Sequence, residues 1–346
     1  MSTSNNKDKN PGFFTFYDSI PYYYLSLDPI HVGIGGYRIG EVDNLVVREP
    51  ASKIPYIPAT SIAGASRAYS ALIHNEIDCA HQKKMCGKEG CKICSTYGFT
   101  KGNESRKSKV IFYDLNILLF PVNIDNTRGY ITCPNIIRTF FLDRSDLRME
   151  NNISSPEDKE FFDLRNQPST LKSSSIGKFI LKKAISNGTT NSSDQETFLD
   201  KFPNSLKSYT VSLHIYLVSD QMFSILVNDN MEIRTSVTID PITGSALHGG
   251  LYTYESIPRF TIFHHNIVFE KPKGNDDNKP IEKEKPNIRE QIEKSFQLIE
   301  FIGLGGMTTR GMGRLKQYPP SNDSKESQED QVEKNSSEQI TSSEGA

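Results

Sequence analysis

Long hydrophobic runs are absent from this sequence. No stretch approaches the roughly 18 consecutive apolar residues of a membrane span, and the polar start MSTSNNKDKN has no signal-peptide core. Both point to a cytoplasmic protein with no membrane partner. Strong charge of one sign is also missing: the formal balance over 346 residues is -2, which on its face argues against a nucleic-acid binder. The near-neutrality is composite. From Tyr318 to Ala346 seven acidic residues face two lysines, a balance of -5, which leaves +3 for residues 1–317. Between Gln82 and Lys109 eight Lys or Arg face two Glu, a local +6 of the kind that gathers a phosphate backbone or simply solvates a surface. With 36% hydrophobic and 24% charged residues, the chain can build one large core or two modest ones.

Apolar and aromatic residues cluster or alternate in Tyr22–Leu27, Val110–Leu119, Tyr209–Val218, Ile233–Ile239 and Phe260–Phe269, which reads as strands. Helical signals are fewer. Ile288, Ile292, Phe296 and Ile299 recur at helical spacing within Pro286–Ile302, a second helix is expected over Thr60–Ile77 with Thr60 or Ser61 as cap, and a third starts at Pro134. Strands and helices mixed without strict alternation imply an α+β fold, and a ferredoxin-like (RRM-like) core fits the pattern. The expected organisation is a single domain over 1–317 with three excursions: 78–109, 144–204 at the surface, and a hairpin over 234–258. The segment Lys271–Lys285 reads as a charged linker and 318–346 as a disordered acidic tail.

Cysteine is scarce, five residues in all, yet four of them share one stretch: Cys79, Cys86, Cys91 and Cys94, in the pattern C-x6-C-x4-C-x2-C. In a cytosolic chain such thiols close a tetrahedral zinc site more readily than disulfides. With no position left for water the site is structural. His81 or His74 as a substitute ligand, and an unliganded redox-sensitive loop, are the alternatives. Cys133, in the apolar run YITC, reads as a small buried hydrophobe.

A glycine-rich run, Gly303-Leu-Gly-Gly-Met-Thr-Thr-Arg-Gly-Met-Gly-Arg-Leu-Lys316, follows the last helix. Backbone N–H groups in such a loop approach an anion closely, although its spacing is neither a Walker loop nor a dinucleotide fingerprint. Together with His31-Val-Gly-Ile-Gly-Gly, Gly40-Glu-Val-Asp-Asn-Leu-Val-Val-Arg-Glu49, Ile57-Pro-Ala-Thr-Ser-Ile-Ala-Gly-Ala-Ser-Arg67, Cys94-Ser-Thr-Tyr-Gly98 and Tyr130-Ile-Thr-Cys-Pro134, it resembles the RAMP superfamily of CRISPR RNA-binding proteins. The block from Ile239 to Pro258 is similar to that of the type III-B backbone subunit. The resemblance spans about 20–140 and 205–317. Ala63 stands where the family carries a lysine, so one backbone-phosphate contact is missing.

The resemblance implies a subunit that stacks with other copies of itself in a helical filament on guide RNA, beside other type III effector subunits. Its hairpin thumb displaces a base of the complementary target RNA. The 2′-hydroxyl beside the distortion then attacks its own phosphodiester, with an acidic side chain and a divalent cation such as Mg or Mn assisting. Asp43 matches the catalytic aspartate by position, with His31 as an assistant at the phosphate. Arg48, Ser61, Arg67, Tyr252, Tyr254, Glu255, Arg310 and Arg314 are the implied RNA contacts. A non-catalytic filament subunit with the same partners is the alternative. A single-chain processing endoribonuclease, or a zinc-stabilised binding module, would need no such assembly.

Overall fold

The computed structural model describes residues 16–35, 42–81, 85–88, 90–142, 153–165, 172–184, 198–271 and 287–318. Its first strand, β1 (Tyr17–Ser26), shows why the central sheet lies between two cores. Side chains alternate across a strand, so the run Tyr22-Tyr23-Tyr24-Leu25 sends successive bulky groups to opposite faces, and all are buried. Tyr24 packs on Phe296 at 5.2 Å, in a cluster with Ile62, Ile292 and Ile299. Tyr23 packs on Phe202 at 5.9 Å and on Phe140 at 6.3 Å, in a second cluster.

The elements that follow are β2 (Tyr56–Ile57), α1 (Ala59–Ile73), α2 (Lys92–Tyr97), β3 (Phe99–Lys101), β4 (Glu104–Arg106), β5 (Val110–Phe112), β6 (Leu115–Ile124), β7 (Thr127–Thr132) and α3 (Pro134–Leu142). Next come β8 (Glu160–Asp163), β9 (Ser173–Ile176), β10 (Phe179–Lys183), α4 (Asn204–Thr210), β11 (Ile215–Val218) and α5 (Asp220–Asp229). The chain continues through β12 (Glu232–Ile239), β13 (Ala246–Ser256), β14 (Ile262–Glu270), α6 (Ile288–Ile302) and β15 (Leu315–Tyr318). The fold is mixed α+β.

One half of the large sheet runs β15-β1-β14-β6, every neighbouring pair antiparallel. Helices α1 and α6 pack on each other beside it, stitched by Ser66 Oγ to Ser295 Oγ at 2.6 Å. Strand β6 continues into the other half, β7-β11-β8-β10-β9, and β9 returns to β6 through Ile124 and Ile176. Helix α5 adds Met222, Phe223, Leu226 and Val227 to the first core. Strands β12 and β13 stand apart as a long two-stranded hairpin closed by a turn in which Asp240 N–H donates to the Ser245 carbonyl at 2.8 Å.

Four expectations change. The strand read over Val110–Leu119 breaks at Tyr113-Asp114 into β5 and β6. The first half of Tyr209–Val218 lies at the end of a helix, and only Ile215–Val218 is a strand. Helix α1 is capped by neither Thr60 nor Ser61: it starts after Pro58 with no side-chain cap, and Asp114 Oδ1 reaches across to accept from Ala59 N–H at 2.7 Å. The 144–204 segment, expected as a surface excursion, supplies β8, β9 and β10 to the sheet and buries Phe161, Ile176, Leu181 and Phe198. The linker after Lys271 and the acidic tail after Tyr318 lie outside the described residues.

Candidate functional site

The hairpin and the amino-terminal glycine loop meet along β13. Asn44 N–H donates to the Thr253 carbonyl at 3.1 Å, and Glu255 N–H donates to the Asn44 carbonyl at 2.9 Å. This pairing sets Asp43 beside Thr253. Asp43 Oδ2 accepts from Thr253 N–H at 2.7 Å and from Thr253 Oγ1 at 3.1 Å, while Asp43 N–H donates to the same Oγ1 at 3.0 Å. Oδ1 accepts nothing among the described residues, so the half-buried carboxylate is anchored there through Oδ2 alone.

His31 is 8% exposed, and its Nδ1 lies 2.6 Å from the Glu255 carbonyl. A carbonyl only accepts, so Nδ1 carries the proton and Nε2 is left without a partner among the described residues. The ring sits between glycines for steric reasons: a Cβ at Gly33 would come 3.1 Å from Nε2, and one at Gly306 would come 3.1 Å from Cδ2. Gly306 N–H donates to the His31 carbonyl at 2.8 Å, which ties the carboxy-terminal glycine loop to the same place. The two glycine-rich segments, distant in sequence, therefore form one cradle around one imidazole.

Arg48 and Glu255 are inside this junction. Glu255 is 5% exposed, and its carboxylate takes both terminal nitrogens of Arg48 in a fork, Nη1 at 2.7 Å, and also Val46 N–H at 3.1 Å. Arg48 Nε donates to Asn228 Oδ1 at 2.9 Å. Glu49, next to Arg48 in sequence, turns to its own loop: hydrogen bonds from the Ser52 side chain and from the Ser52 N–H at 2.6 Å hold its carboxyl low. In this chain Arg48 and Glu255, expected as RNA contacts, clamp the loop to the hairpin.

Arg67 is likewise turned inward. It donates to the Cys79 carbonyl at 2.8 Å and to the Gly98 carbonyl at 3.0 Å, so it joins α1 to the cysteine knuckle and is not a surface cation. Tyr254 is 6% exposed and meets the His31 ring edge-on at 6.0 Å. Tyr252 stays partly open, 6.1 Å from Tyr254, and its hydroxyl accepts from Arg310. Hydrogen bonding to Ser236, then to Arg310, pushes the Tyr252 hydroxyl below its ordinary range. Arg310 is exposed, Arg314 is exposed but paired with Asp28 at 2.5 Å, and Ser61 is half-buried in the first turn of α1.

The residues that sequence reasoning missed are the partners, Thr253 and Asn228, and the exposed apolar row of the hairpin. Ile242 is 92% exposed, with Ile239, Leu247 and Leu251 also open. The signal for that row was the apolar alternation in the Ile239–Pro258 block.

Cys79, Cys86, Cys91 and Cys94 gather with all four Sγ atoms within 4.8 Å, and neither His81 nor His74 belongs to the set. A tetrahedron with metal–sulfur bonds of about 2.3 Å has edges of about 3.8 Å. The Sγ–Sγ separations of 3.7, 3.8 and 3.9 Å fit that figure. Cys94 N–H donates to Cys91 Sγ and Lys88 N–H to Cys86 Sγ, the outer-shell bonds that steady a thiolate. Burial pushes the Cys79 and Cys91 thiols up, so holding them ionised requires a cation. The residues fit a metal ion.

A mixed α+β chain with one curled sheet, a projecting hairpin braced by two glycine loops and a four-thiol knuckle is the class these features define. Within it, the chain belongs to the RAMP superfamily, whose family model matches residues 25–316. It is 24% identical over 297 residues to the CRISPR system Cmr endoribonuclease Cmr4 of Pyrococcus furiosus, covering 84% of this chain and 92% of that one. The oligomeric Cmr4 crystal structure from the same organism superposes with a TM-score of 0.56 at 17% identity, over 88% of this chain and 99% of that one. A type III-B Cmr-beta structure bound to cognate target RNA matches with a TM-score of 0.56 at 16% identity, over 87% and 97% of the two chains. Among the described residues, no helix is long and apolar enough to cross a membrane.

Proposed function

We propose that this chain is the repeating backbone subunit of a type III-B CRISPR ribonucleoprotein, which binds guide RNA and cleaves complementary target RNA at regular intervals by 2′-hydroxyl attack. The similarity to Cmr4 over most of both chains supports the assignment. The single observation that carries the nuclease reading is Asp43, fixed through Oδ2 to Thr253 at the root of the hairpin.

The order β15-β1-β14-β6, with α1 after its first strand and α6 before its last, supports a ferredoxin-like palm, and β12–β13 is its thumb. Exposed Ile239, Ile242, Leu247 and Leu251 make a wedge able to enter between bases. A splayed nucleotide aligns its 2′-oxygen, phosphorus and leaving oxygen, and alignment of that kind lowers a barrier by several kcal/mol. Asp43 Oδ1 then accepts the 2′-hydroxyl proton as the 2′-oxygen–phosphorus bond forms and the phosphorus–5′-oxygen bond breaks, and His31, its Nδ1–H held by the Glu255 carbonyl, donates from a protonated Nε2 to the phosphate and the leaving 5′-oxygen. A divalent cation, Mg or Mn, would supply charge neutralisation at the phosphate when bound, and Asp43 would be the carboxylate to hold it. Tyr252, Arg310, Arg314 and Ser61 remain RNA contacts of this reading. The four-cysteine cluster holds structural zinc. The protein works in the cytoplasm, with guide RNA, target RNA, other copies of itself and other type III subunits as partners.

A second reading rests on the same hydrogen bonds: Asp43 staples loop to thumb, and the subunit is a non-catalytic scaffold. Mapping target-RNA cut sites in the assembled complex separates the two. With Asp43→Ala, guide binding persists and the regularly spaced cuts disappear; unchanged cuts leave only the scaffold.

A further inference from the structure

A cationic aromatic site lies over the second core, on the sheet face away from α1 and α6. Arg128 stacks on the Phe260 ring at 4.0 Å, and Arg259 stacks on the same ring at 4.3 Å. Arg128 also lies 5.8 Å from Tyr209, and Lys316 lies 5.7 Å from Tyr318. All three cations are exposed, and none forms an ion pair with a carboxylate among the described residues. Burial, then Tyr209 and the charge of Glu300, raise the Tyr318 hydroxyl, and Glu300 pairs with none of the three cations among the described residues.

The fold holds this arrangement deliberately. Phe260 has φ of 72°, a left-handed backbone that bulky residues rarely adopt. It is kept there by Phe260 N–H to the Ser26 carbonyl at 2.7 Å and by Tyr130 Oη donating to the Phe260 carbonyl at 2.8 Å. Such an outlier, sustained by buried hydrogen bonds, marks a place where the ring's position matters. Two like-charged guanidiniums beside one ring repel each other, and the arrangement calls for an anion.

We propose that this site docks the chain's own acidic segment, residues 319–346. Its position argues for that occupant. The last described residue, Tyr318, is in the site, since it packs with Tyr130 in the cluster that Phe260 and Tyr209 lie against. The chain that leaves it carries seven acids against two lysines. At about 3.4 Å per extended residue, Asp323 lies within about 17 Å of Tyr318, so the first acids reach the arginines without a long loop to close. The body contributes the +3 and the tail the -5, and the site is where they meet. The docked tail screens these arginines from other polyanions. This inference does not depend on Asp43 or on cleavage.

The test is phenylglyoxal footprinting of the full-length chain, read by mass spectrometry at Arg128 and Arg259 with Arg234 as internal reference. It is compared with a full-length variant carrying D323N, E326Q, E329Q, D330N, E333Q, E338Q and E344Q, changes that touch no described residue. Both arginines are expected to react about threefold faster in the amide variant, with the difference erased in 1 M salt, where the screening length is about 3 Å. The protection is unchanged on dilution. Equal rates in the two proteins overturn the proposal. So does protection that appears only on adding single-stranded RNA, which makes the site an RNA surface, or protection that fades on dilution, which makes the anion another copy's.

Discussion

Glu255→Gln is the most informative single substitution in this chain. The carboxylate receives a fork from Arg48 and an N–H from Val46, and its side chain is 7% exposed against 19% for Arg48. Removing one charge from a buried pair costs about 3–5 kcal/mol because the partner is left desolvated. Arg48 keeps Asn228 Oδ1 at 2.9 Å and the Val46 carbonyl at 3.3 Å, and it is partly hydrated, so the expected loss is nearer 2 kcal/mol. Urea denaturation followed by circular dichroism measures it, as a lower midpoint at constant slope. Arg48→Lys, which keeps the charge and loses the fork, should lose a comparable amount. Combining Glu255→Gln with Arg48→Met should cost less than the two changes added together, since the second removes the cation that the first strands. A shift below about 0.5 kcal/mol for Glu255→Gln would show the pair to be solvated, and the clamp between loop and thumb would lose its basis.

Thr253→Val removes the hydroxyl between Asp43 N–H and Oδ2 while keeping the strand; target cleavage in the assembled complex should fall by about tenfold or more with guide affinity unchanged, as expected for a misplaced general base. Cys94→Ser, or treatment with a strong chelator, should release about one zinc per chain and lower the unfolding temperature, measured by metal analysis and calorimetry. His265 is buried, donates Nδ1–H to the Tyr113 carbonyl at 3.0 Å and accepts from Tyr24 Oη at 3.1 Å; burial lowers its pKa to about 4. The unfolded chain therefore binds that proton first, so the contribution is intact above about pH 6.5 and drains away as pH falls toward 4, by up to about 3 kcal/mol. A stability–pH curve that is flat through this window, or one that His265→Gln leaves unchanged, would contradict it.

Periodicity carried the first strand and the last helix well. Ile292, Phe296 and Ile299 of α6 and the Tyr22–Leu25 run of β1 are buried as their spacing demands. The cysteine pattern likewise gathered its four thiols, because ligands within sixteen residues need only local folding to meet. The segment 144–204 misled because its strands are short and rich in serine, and Ser173–Ile176 buries only alternate residues against partners the sequence does not announce. The site was legible in its residue types and not in their roles. Arg48 and Glu255 are separated by 207 positions, and Asp43 and Thr253 by 210, so no local signal says which of two acids a guanidinium chooses. Burial decides it: Glu255 at the hairpin root is dry, whereas neighbouring Glu49 is exposed and turns to its own loop.

The division of labour along β13 follows from the strand's period of two. Thr253 and Glu255 turn one way and hold the loop through Asp43, Val46 and Arg48. Tyr252 and Tyr254 turn the other way, toward Arg310 and the His31 ring. A single-residue slip between β12 and β13 would exchange the two sets, presenting tyrosines to the loop and burying a carboxylate against an imidazole face. The bulge between Val237 and Ile239 falls outward of this stretch, so the register from Glu232↔Ser256 to Val237↔Leu251 runs unbroken through the clamp while the tip is free to vary. Inserting one residue after Tyr254, which turns Thr253 and Glu255 to opposite faces, should therefore disable cleavage as fully as losing Asp43, whereas an insertion at Thr243 should alter only how the hairpin tip meets RNA. Equal effects from the two insertions would mean that the clamp does not set the site.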